Sequence, residues 1–204
     1  MPLYLIRHGE AFASFDHLDP GLSERGRRQA EHVAEWAKGT SAARLVVSPL
    51  LRTRETALPI AAALGLVPEY RDEVAEVFDP TMTAEERVAM LPDFIASRWG
   101  EQPEGLRTWR RRVVDTVLEL ALAGEAAGHD VLVVSHFVAI GAVIGEATGD
   151  DAVIPVAMAN AAISSFSAGH GGLRLLSAAT TAHLPPDLVT GMSSAIAGLV
   201  PPRA

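Results

Sequence analysis

Three short, uninterrupted apolar runs constrain the fold of this chain more than any other feature of its sequence. They are residues 3–6 (LYLI), 45–47 (LVV) and 131–134 (VLVV). None alternates between polar and apolar residues, and none is long enough for a helix, so each is typical of a strand that is covered on both faces. A helical segment follows each run, and these segments are residues 23–38, 50–64 and 137–148. The repeat predicts an α/β, three-layer sandwich with a mostly parallel central sheet and helices on both faces.

The ends of the predicted helices carry recognisable signals. Ser23 is a suitable N-cap for the first helix, and Gly39, Gly65 and Gly149 follow the three helices as stops. A longer helix is predicted over residues 106–127 and two further strands over 162–167 and 173–177. Together these elements predict one domain over residues 1–184. Residues 185–204 are rich in Ala, Ser, Gly and Pro without periodicity, so we expect a mobile C-terminal tail or a surface-packed extension there.

The composition limits the possible partners. The 204 residues are 49% hydrophobic and carry a formal net charge of -8, so the overall field favours binding to neither nucleic acid nor an anionic membrane. The absence of cysteine excludes disulfides, thiolate nucleophiles and cysteine-ligated metals. No leader pattern stands at the start, and no apolar stretch reaches the roughly 18 residues of a membrane span. A cytoplasmic protein without nucleic-acid or membrane partners is therefore expected.

Polar groups suited to an anion follow each of the three apolar runs. They are Arg7 and His8 after the first, Ser48 and Arg52 after the second, and Ser135 and His136 after the third. The carboxyl ends of parallel strands meet at one edge of a sheet, where ligands bind in such folds. Guanidinium groups match phosphate oxygens and stay charged, a histidine can carry a phosphoryl group covalently, and a second histidine can donate to an equatorial oxygen.

A metal site is the competing explanation for paired histidines. The sequence contains neither HxH nor HExxH, and the neighbouring arginines would repel a cation. We therefore expect no metal and no cofactor.

Four sequence blocks, in matching order and spacing, resemble the histidine phosphatase superfamily, also called phosphoglycerate mutase-like. The blocks are LIRHGE (5–10), LSERGRRQA (22–30), SPLLRTRETA (48–57) and VVSHF (133–137). The resemblance implies that His8 is the phospho-accepting nucleophile and that Arg7, Arg52 and His136 complete the phosphate pocket. The histidine that directly follows Arg7 would thus attack the group that Arg7 binds.

The resemblance also implies a carboxylic acid that protonates the leaving oxygen. Members of the family draw it from a segment resembling leucine, any residue and glutamate, followed by a glycine and tryptophan pattern. The nearest match here is VAE at 74–76, which the glycine and tryptophan do not follow. Glu76 is therefore the candidate acid, with Glu73 and Asp79 as alternatives. The competing interpretation is that Glu76 is one of 25 acidic residues on a solvated face.

A small lid over the substrate is predicted at about residues 78–108. Thr83 and Glu86 form a capping box for a short helix there, which Pro92 should break or kink. In the family that this chain resembles, insertions in this region form the lid, so the resemblance implies Arg87, Phe94, Arg98 and Trp99 as candidate contacts with substrate. The alternative is a surface helix that does not contact the substrate. Glu10 and Ser14, just after the predicted nucleophile, complete the predicted substrate-binding set.

These observations predict a phosphomonoesterase of the histidine acid phosphatase type, which acts through a phosphohistidine without metal on a small phosphorylated metabolite. One alternative is a phosphoglycerate mutase-like phosphotransferase, although mutases of the family tend to have longer lid insertions. The other is a catalytically silent domain that binds phosphorylated ligands, which the divergent residues after Glu76 suggest. The sequence leaves the substrate open among sugar phosphates, nucleotide-derived esters, cofactor precursors and phosphoproteins.

Overall fold

A six-stranded sheet forms the centre of the computed structural model, which describes residues 1–12, 19–77, 83–169 and 171–191. The strands are β1 (Leu3–Arg7), β2 (Ala42–Val47), β3 (Glu69–Tyr70), β4 (Asp130–Ser135), β5 (Ile163–Gly169) and β6 (Gly172–Thr180). Their order is β3-β2-β4-β1-β5-β6. The first four run parallel, whereas β5 pairs antiparallel with both β1 and β6. The predicted, mostly parallel sheet is confirmed.

Helices cover both faces of the sheet. They are α1 (Glu24–Ala37), α2 (Leu51–Leu64), α3 (Ala84–Ala96), α4 (Glu104–Ala127) and α5 (Phe137–Thr148). One apolar cluster joins the sheet to α4 and α5, and a second joins its opposite face to α1 and α2. The central strand β4 is buried along its whole length, because it has a strand on each side and helices on each face. The predicted three-layer sandwich is confirmed.

The predicted helix ends have different outcomes. Gly39 follows α1, but Lys38 is the C-cap of that helix and Gly39 does not take the left-handed conformation. The Ser23 hydroxyl accepts a hydrogen bond from the backbone N–H of Gly26 and so caps α1, an arrangement that contributes about 1 kcal/mol. Gly65 and Gly149 end α2 and α5 with φ of 65° and 69°. A side chain is strained in that left-handed region, which is why glycine stops both helices.

Part of the segment predicted as a lid contributes side chains to a third apolar cluster. Phe94 and Trp99 are only 5% and 1% exposed and pack against the first turns of α5, and Trp99 stacks on Trp109 at 5.9 Å between ring centroids. They have almost no surface left for a substrate, so the prediction that they contact one is wrong. Arg98 instead pairs with Asp151 on the surface at 3.5 Å.

Two further predictions for the lid have different outcomes. The capping box of Thr83 and Glu86 is present at the start of α3. The helix does not break at Pro92 but continues to Ala96. The side chain of Arg87 and the whole of residues 78–82 lie outside the described residues.

The first residues of the predicted C-terminal tail are packed against the rest of the protein. Residues Pro186–Leu188 form a 3₁₀ turn, and the Leu188 side chain is 1% exposed. The buried amide of Gln29 donates to the Leu188 carbonyl at 2.7 Å, which holds this segment against α1. Residues 185–191 therefore correspond to the surface-packed extension that was the alternative to a mobile tail, while residues 192–204 lie outside the described residues. Within the described parts of the chain, no helix combines the length and apolar character needed to cross a membrane.

Candidate active site

The strand register brings the predicted phosphate-binding groups to one edge of the sheet. Arg7, the last residue of β1, is paired with Ser135, the last residue of β4. The backbone N–H of His8 donates to the Ser135 carbonyl at 3.0 Å, and that of Ser48 donates to the Val134 carbonyl at 3.1 Å. The carboxyl ends of β1, β2 and β4 therefore present their side chains to the same space.

The ring of His8 is held in one tautomer. Its Nδ1 lies 2.7 Å from the carbonyl oxygen of Gly9. A carbonyl can only accept a hydrogen bond, so Nδ1 carries the proton and Nε2 carries the lone pair. Nε2 faces the site, where it accepts a hydrogen bond from Nε of Arg52 at 3.2 Å.

The surroundings of His8 also keep its ring neutral. Burial, followed by the positive charges of Arg52 and Arg7, lowers the pKa of His8 well below 6.5. The hydrogen bond to Gly9 acts in the opposite direction without offsetting this effect. At neutral pH the Nε2 lone pair is therefore unprotonated and available as a nucleophile.

Arg7 is an enclosed cation with unused hydrogen-bonding capacity. It donates through Nη1 to the Met158 carbonyl, and its guanidinium lies 4.8 Å from the centre of the Phe137 ring. Nε is buried and has no partner among the described residues. Burial lowers the pKa of Arg7 to about 10, partly offset by the charge of Glu76. Arg7 is thus charged at neutral pH.

Arg52 projects from the first turn of α2 and is only 14% exposed. Its Nη1 lies 3.6 Å from Oδ1 of Asp19, and both Asp19 oxygens accept the Leu51 N–H at 2.9 Å. Asp19 thus caps α2 and orients the arginine, a role that the sequence did not reveal. One feature of the sequence indicates that such a cap is needed. The N-cap residue of α2 is Leu50, whose side chain cannot accept a hydrogen bond, so the first N–H groups of the helix need an acceptor from elsewhere in the chain.

His136 stands at the N-cap of α5 and is fully buried. Its Nε2 lies 2.7 Å from the Ser48 hydroxyl, whereas Nδ1 is buried without a partner in the described ranges. Its ring centroid is 5.2 Å from that of His8. Burial, then the charges of Arg52, His8 and Arg7, lowers the pKa of His136 well below 6.5. Ser48, predicted as a possible phosphate contact, instead supports this histidine.

Glu76 lies at the site and not on a solvated face. Oε1 accepts the Val77 N–H at 3.0 Å, and Oε2 accepts the Val138 N–H in the first turn of α5 at 3.4 Å. Burial raises the pKa of Glu76, and this effect exceeds the opposing contributions of these N–H groups and of Arg52 and Arg7. The carboxyl group can therefore hold a proton more readily than an exposed glutamate.

The hydroxyl of Ser135 anchors the segment that carries this acid. It donates to the Val74 carbonyl at 2.7 Å, two residues before Glu76. Ser135 was predicted as a group able to meet phosphate, but its hydroxyl is committed to this backbone contact. Of the two alternative acids, Glu73 lies in the 3₁₀ turn Asp72–Val74 after β3 and has no described contact with the pocket residues. Asp79 lies outside the described residues.

The two further predicted substrate contacts have different outcomes. The Glu10 carboxylate accepts hydrogen bonds from the Ser23 hydroxyl at 2.8 Å and from Arg25 at 3.4 Å. Burial tends to raise the pKa of Glu10, but the hydrogen bonds from Ser23, Thr190 and Arg25 lower it overall. Glu10 is thus tied to the first turn of α1 beside the pocket. Ser14 lies outside the described residues.

The described side chains form a phosphate site more readily than a metal site. Within residues 1–12, 19–77, 83–169 and 171–191, no three His, Asp or Glu side chains are grouped as metal ligands. The pocket instead combines two guanidinium groups, a neutral imidazole whose unprotonated nitrogen faces Arg52, a second imidazole with a ring nitrogen that has no described partner, and a carboxyl of raised pKa. These groups can bind a dianion, attack it and protonate a leaving oxygen.

Comparison with protein families supports this interpretation. Residues 3–181 match the model of the histidine phosphatase superfamily (branch 1). The probable phosphoglycerate mutase GpmB of Photorhabdus laumondii is 30% identical over 171 residues, which cover 73% of this chain and 75% of that protein.

Solved structures of similar fold cover nearly the whole chain. Phosphoserine phosphatase from Entamoeba histolytica, in complex with 3-phosphoglyceric acid, is 25% identical with a TM-score of 0.70, covering 90% of this chain and 99% of that one. The mycobacterial glucosyl-3-phosphoglycerate phosphatase, in complex with VO3, is 25% identical with a TM-score of 0.71, covering 88% and 99%.

Proposed function

Because this chain belongs to the histidine phosphatase superfamily, we propose that it is a metal-independent phosphomonoesterase that forms a phosphohistidine on His8. The observation that carries the proposal is the pair of contacts of the His8 ring, in which Nδ1 lies 2.7 Å from the Gly9 carbonyl oxygen and Nε2 lies 3.2 Å from Nε of Arg52. These contacts assign the proton to Nδ1 and the lone pair to Nε2. This is the state that a nitrogen nucleophile needs.

Binding of the substrate phosphate frees the nucleophile. Arg52 donates through Nε to His8, and a phosphate oxygen is a stronger acceptor for that donor because it is charged. The phosphate therefore takes over the hydrogen bond and releases the lone pair. Arg7, with its unused Nε, binds the same dianion from the other strand end.

In the first chemical step, Nε2 of His8 attacks phosphorus while the bond to the ester oxygen breaks. Negative charge spread over the equatorial oxygens is stabilised by Arg7, Arg52 and the Nδ1–H of His136. Glu76 gives its proton to the departing oxygen, so the alcohol leaves neutral and the carboxylate remains.

In the second step, that carboxylate acts as a general base. Glu76 takes a proton from a water molecule, whose oxygen attacks phosphorus as the P–N bond to His8 breaks. Inorganic phosphate leaves, His8 regains its lone pair, and Glu76 is again protonated. The raised pKa of Glu76 suits a group that must hold a proton in one step and receive it in the next.

A phosphoglycerate mutase-like transfer is the second candidate, since the Photorhabdus relative bears that name. The substrate class that we propose is a small phosphorylated metabolite, as the solved neighbours include phosphatases of phosphoserine and of glucosyl-3-phosphoglycerate. A phosphatase releases inorganic phosphate from the ester, whereas a mutase interconverts phosphoglycerates. A silent binding domain releases no phosphate from an aryl ester.

The test is to trap the covalent intermediate. Rapid mixing with a phosphate-labelled ester, followed by an alkaline quench that preserves phosphohistidine, should leave label on the wild-type chain and none on His8→Ala. Label that persists on His8→Ala would contradict the assignment. Absence of label and of phosphate release from both proteins would contradict the phosphatase proposal itself.

A further inference from the structure

We propose that Gln29 is a positioning residue for His8, and that the C-terminal segment 188–190 holds Gln29 in place. Only the kinetic consequence of this proposal rests on the proposed function. Gln29 belongs to the second sequence block, residues 22–30, which has no role in the proposed chemistry. Its hydrogen bond to the loop after His8 gives that block a part in setting the tautomer of the nucleophile.

A single peptide unit joins Gln29 to His8. The carbonyl of Gly9 accepts the Nδ1 proton of His8 at 2.7 Å. The N–H of the same peptide, which belongs to Glu10, donates to Oε1 of Gln29 at 2.7 Å. Because a trans peptide is planar, its C=O and N–H point in opposite directions. Gln29 therefore aims the Gly9 carbonyl at the nucleophile by holding the other end of the plane.

The amide of Gln29 has its own fixed orientation. It is fully buried, and its Nε2 donates to the Leu188 carbonyl at 2.7 Å and to the Thr190 hydroxyl at 2.9 Å. With both amide hydrogens used on the C-terminal segment, the oxygen must face the Glu10 N–H. A rotated amide would set its NH₂ group against that N–H and its oxygen against two acceptors.

Thr190 is held at the centre of this arrangement. Its Oγ1 accepts from Asn160 Nδ2 at 3.1 Å as well as from Gln29 at 2.9 Å. Its hydroxyl also helps to lower the pKa of the neighbouring Glu10 carboxyl. The backbone N–H of Asn160 also donates to the Thr190 carbonyl at 2.8 Å. The next residue in the chain, Ala161, donates its N–H to the carbonyl of His8 at 3.1 Å.

Close packing makes this contact possible. Gly9 and Gly26 lie so near each other that a Cβ on either one would collide with backbone atoms of the opposite segment. The nucleophile loop therefore lies directly on the first turn of α1, and Gln29, one turn beyond Gly26, reaches the Glu10 N–H. Side chains at either glycine would separate the loop from the helix.

Loss of the Gln29 contact should change the chemistry of His8 and not only its stability. If the Gly9 carbonyl is free to rotate, the imidazole can move its proton to Nε2, and that tautomer has no lone pair to attack phosphorus. A wrong tautomer in Ser-His-Asp enzymes costs about 10⁴-fold in kcat. Here the carbonyl itself remains, so we expect a smaller loss of about 10- to 100-fold.

The decisive variants are Gln29→Glu and Thr190→Val, with Thr190→Ser as the matched control. The carboxylate that Gln29→Glu introduces would have no hydrogens for Leu188 and Thr190 and would be repelled by the Leu188 carbonyl oxygen. It would therefore no longer be held against the Glu10 N–H. Thr190→Val keeps the shape of the side chain and removes its hydroxyl, whereas Thr190→Ser keeps the hydroxyl. Thermal unfolding would show which variants remain folded.

The ¹⁵N chemical shifts of selectively labelled histidine report the tautomer directly, and His8→Ala assigns the signal. We expect the Nδ1–H tautomer in the wild type and in Thr190→Ser. Gln29→Glu and Thr190→Val should gain the Nε2–H form and lose kcat on an aryl phosphate, with KM nearly unchanged.

Two results would overturn the proposal. One is a wild-type His8 that is protonated at Nε2. The other is a folded Gln29→Glu with the wild-type tautomer and kcat; if that variant does not fold, an unchanged Thr190→Val has the same meaning. The tautomer can be measured even if no phosphohistidine forms, so failure of the proposed function would be seen separately.

Discussion

The nucleophile side and the acid side of this site are built in different ways. The nucleophile side, consisting of Arg7, His8, Arg52 and His136, stands directly on the ends of strands and the first turns of the helices that follow. The acid side, consisting of Glu76 in segment 72–77, lies beyond the short edge strand β3 and outside the sheet.

The two sides are therefore held by different forces. Backbone hydrogen bonds of the β1 and β4 ladder fix where Arg7 and His8 stand. The acid depends on the Ser135 hydroxyl, which binds the Val74 carbonyl, and on the Val138 N–H, which binds Glu76. Changes on the acid side should thus be selective for the proton-transfer step, whereas changes on the nucleophile side should affect every substrate.

The largest difference between the two sides should appear with Glu76→Gln. An alkoxide leaves poorly without a proton, whereas nitrophenolate leaves readily. We expect kcat/KM for an alkyl phosphate to fall by roughly 100-fold or more, and that for para-nitrophenyl phosphate to fall much less. Glu73→Gln is the matched control and should change neither value. Equal losses on both esters would show that Glu76 positions the substrate instead of donating a proton.

A smaller effect should separate the two supporting hydroxyls. Ser135→Ala releases the segment of Glu76, so we expect kcat/KM for the alkyl ester to fall by about tenfold, with less change for the aryl ester. Ser48→Ala removes the partner of His136 on the nucleophile side and should lower both values alike by about tenfold. Steady-state kinetics with both esters would test this. The comparison fails if the two variants give the same pattern.

The pH dependence of kcat/KM should separate the same two groups. His8 must be neutral, and its lowered pKa places the acid limb below 6.5. Glu76 must be protonated, and its raised pKa places the alkaline limb above 4.5. Activity on the alkyl ester should thus be lost as pH falls through the pKa of His8 or rises through that of Glu76. In Glu76→Gln only the acid limb should remain, and a persistent alkaline limb would assign it to another group.

The smallest change should come from a chelator, because the positive charge of the pocket comes from Arg7 and Arg52. We expect EDTA to leave the rate unchanged. Vanadate or inorganic phosphate should inhibit competitively, since each resembles the transferring group. Loss of activity with EDTA and its recovery with a divalent ion would contradict the proposed chemistry.

The contrast between the two sides also explains what the sequence could predict. Strands and helix ends are specified by short stretches of neighbouring residues. The apolar runs 3–6, 45–47 and 131–134 therefore indicated the fold, and they also indicated the strand ends, including the one that carries Arg7 and His8. The acid was one of three candidates, because hydrogen bonds from the Ser135 hydroxyl and the Val138 backbone N–H place it, and these depend on tertiary packing.

The same reasoning accounts for what the sequence missed. Asp19 and Thr190 act across long chain separations, on Arg52 and Gln29 respectively, and no local pattern marks such partners. Phe94 and Trp99 were assigned to substrate because aromatic residues in a lid and in a small core look alike in sequence. Their burial against α5 distinguishes the two cases.

The position of the phosphoryl group on the histidine ring shows directly which nitrogen is the nucleophile. Glu76→Gln, which lacks the base for the second step, should accumulate the intermediate when mixed with an aryl phosphate. After an alkaline quench, ³¹P and ¹⁵N NMR distinguish the two ring nitrogens. Because Gly9 holds the proton on Nδ1 of His8, we expect phosphate on Nε2 of that residue. Phosphate on Nδ1 of His8, or on His136, would contradict it.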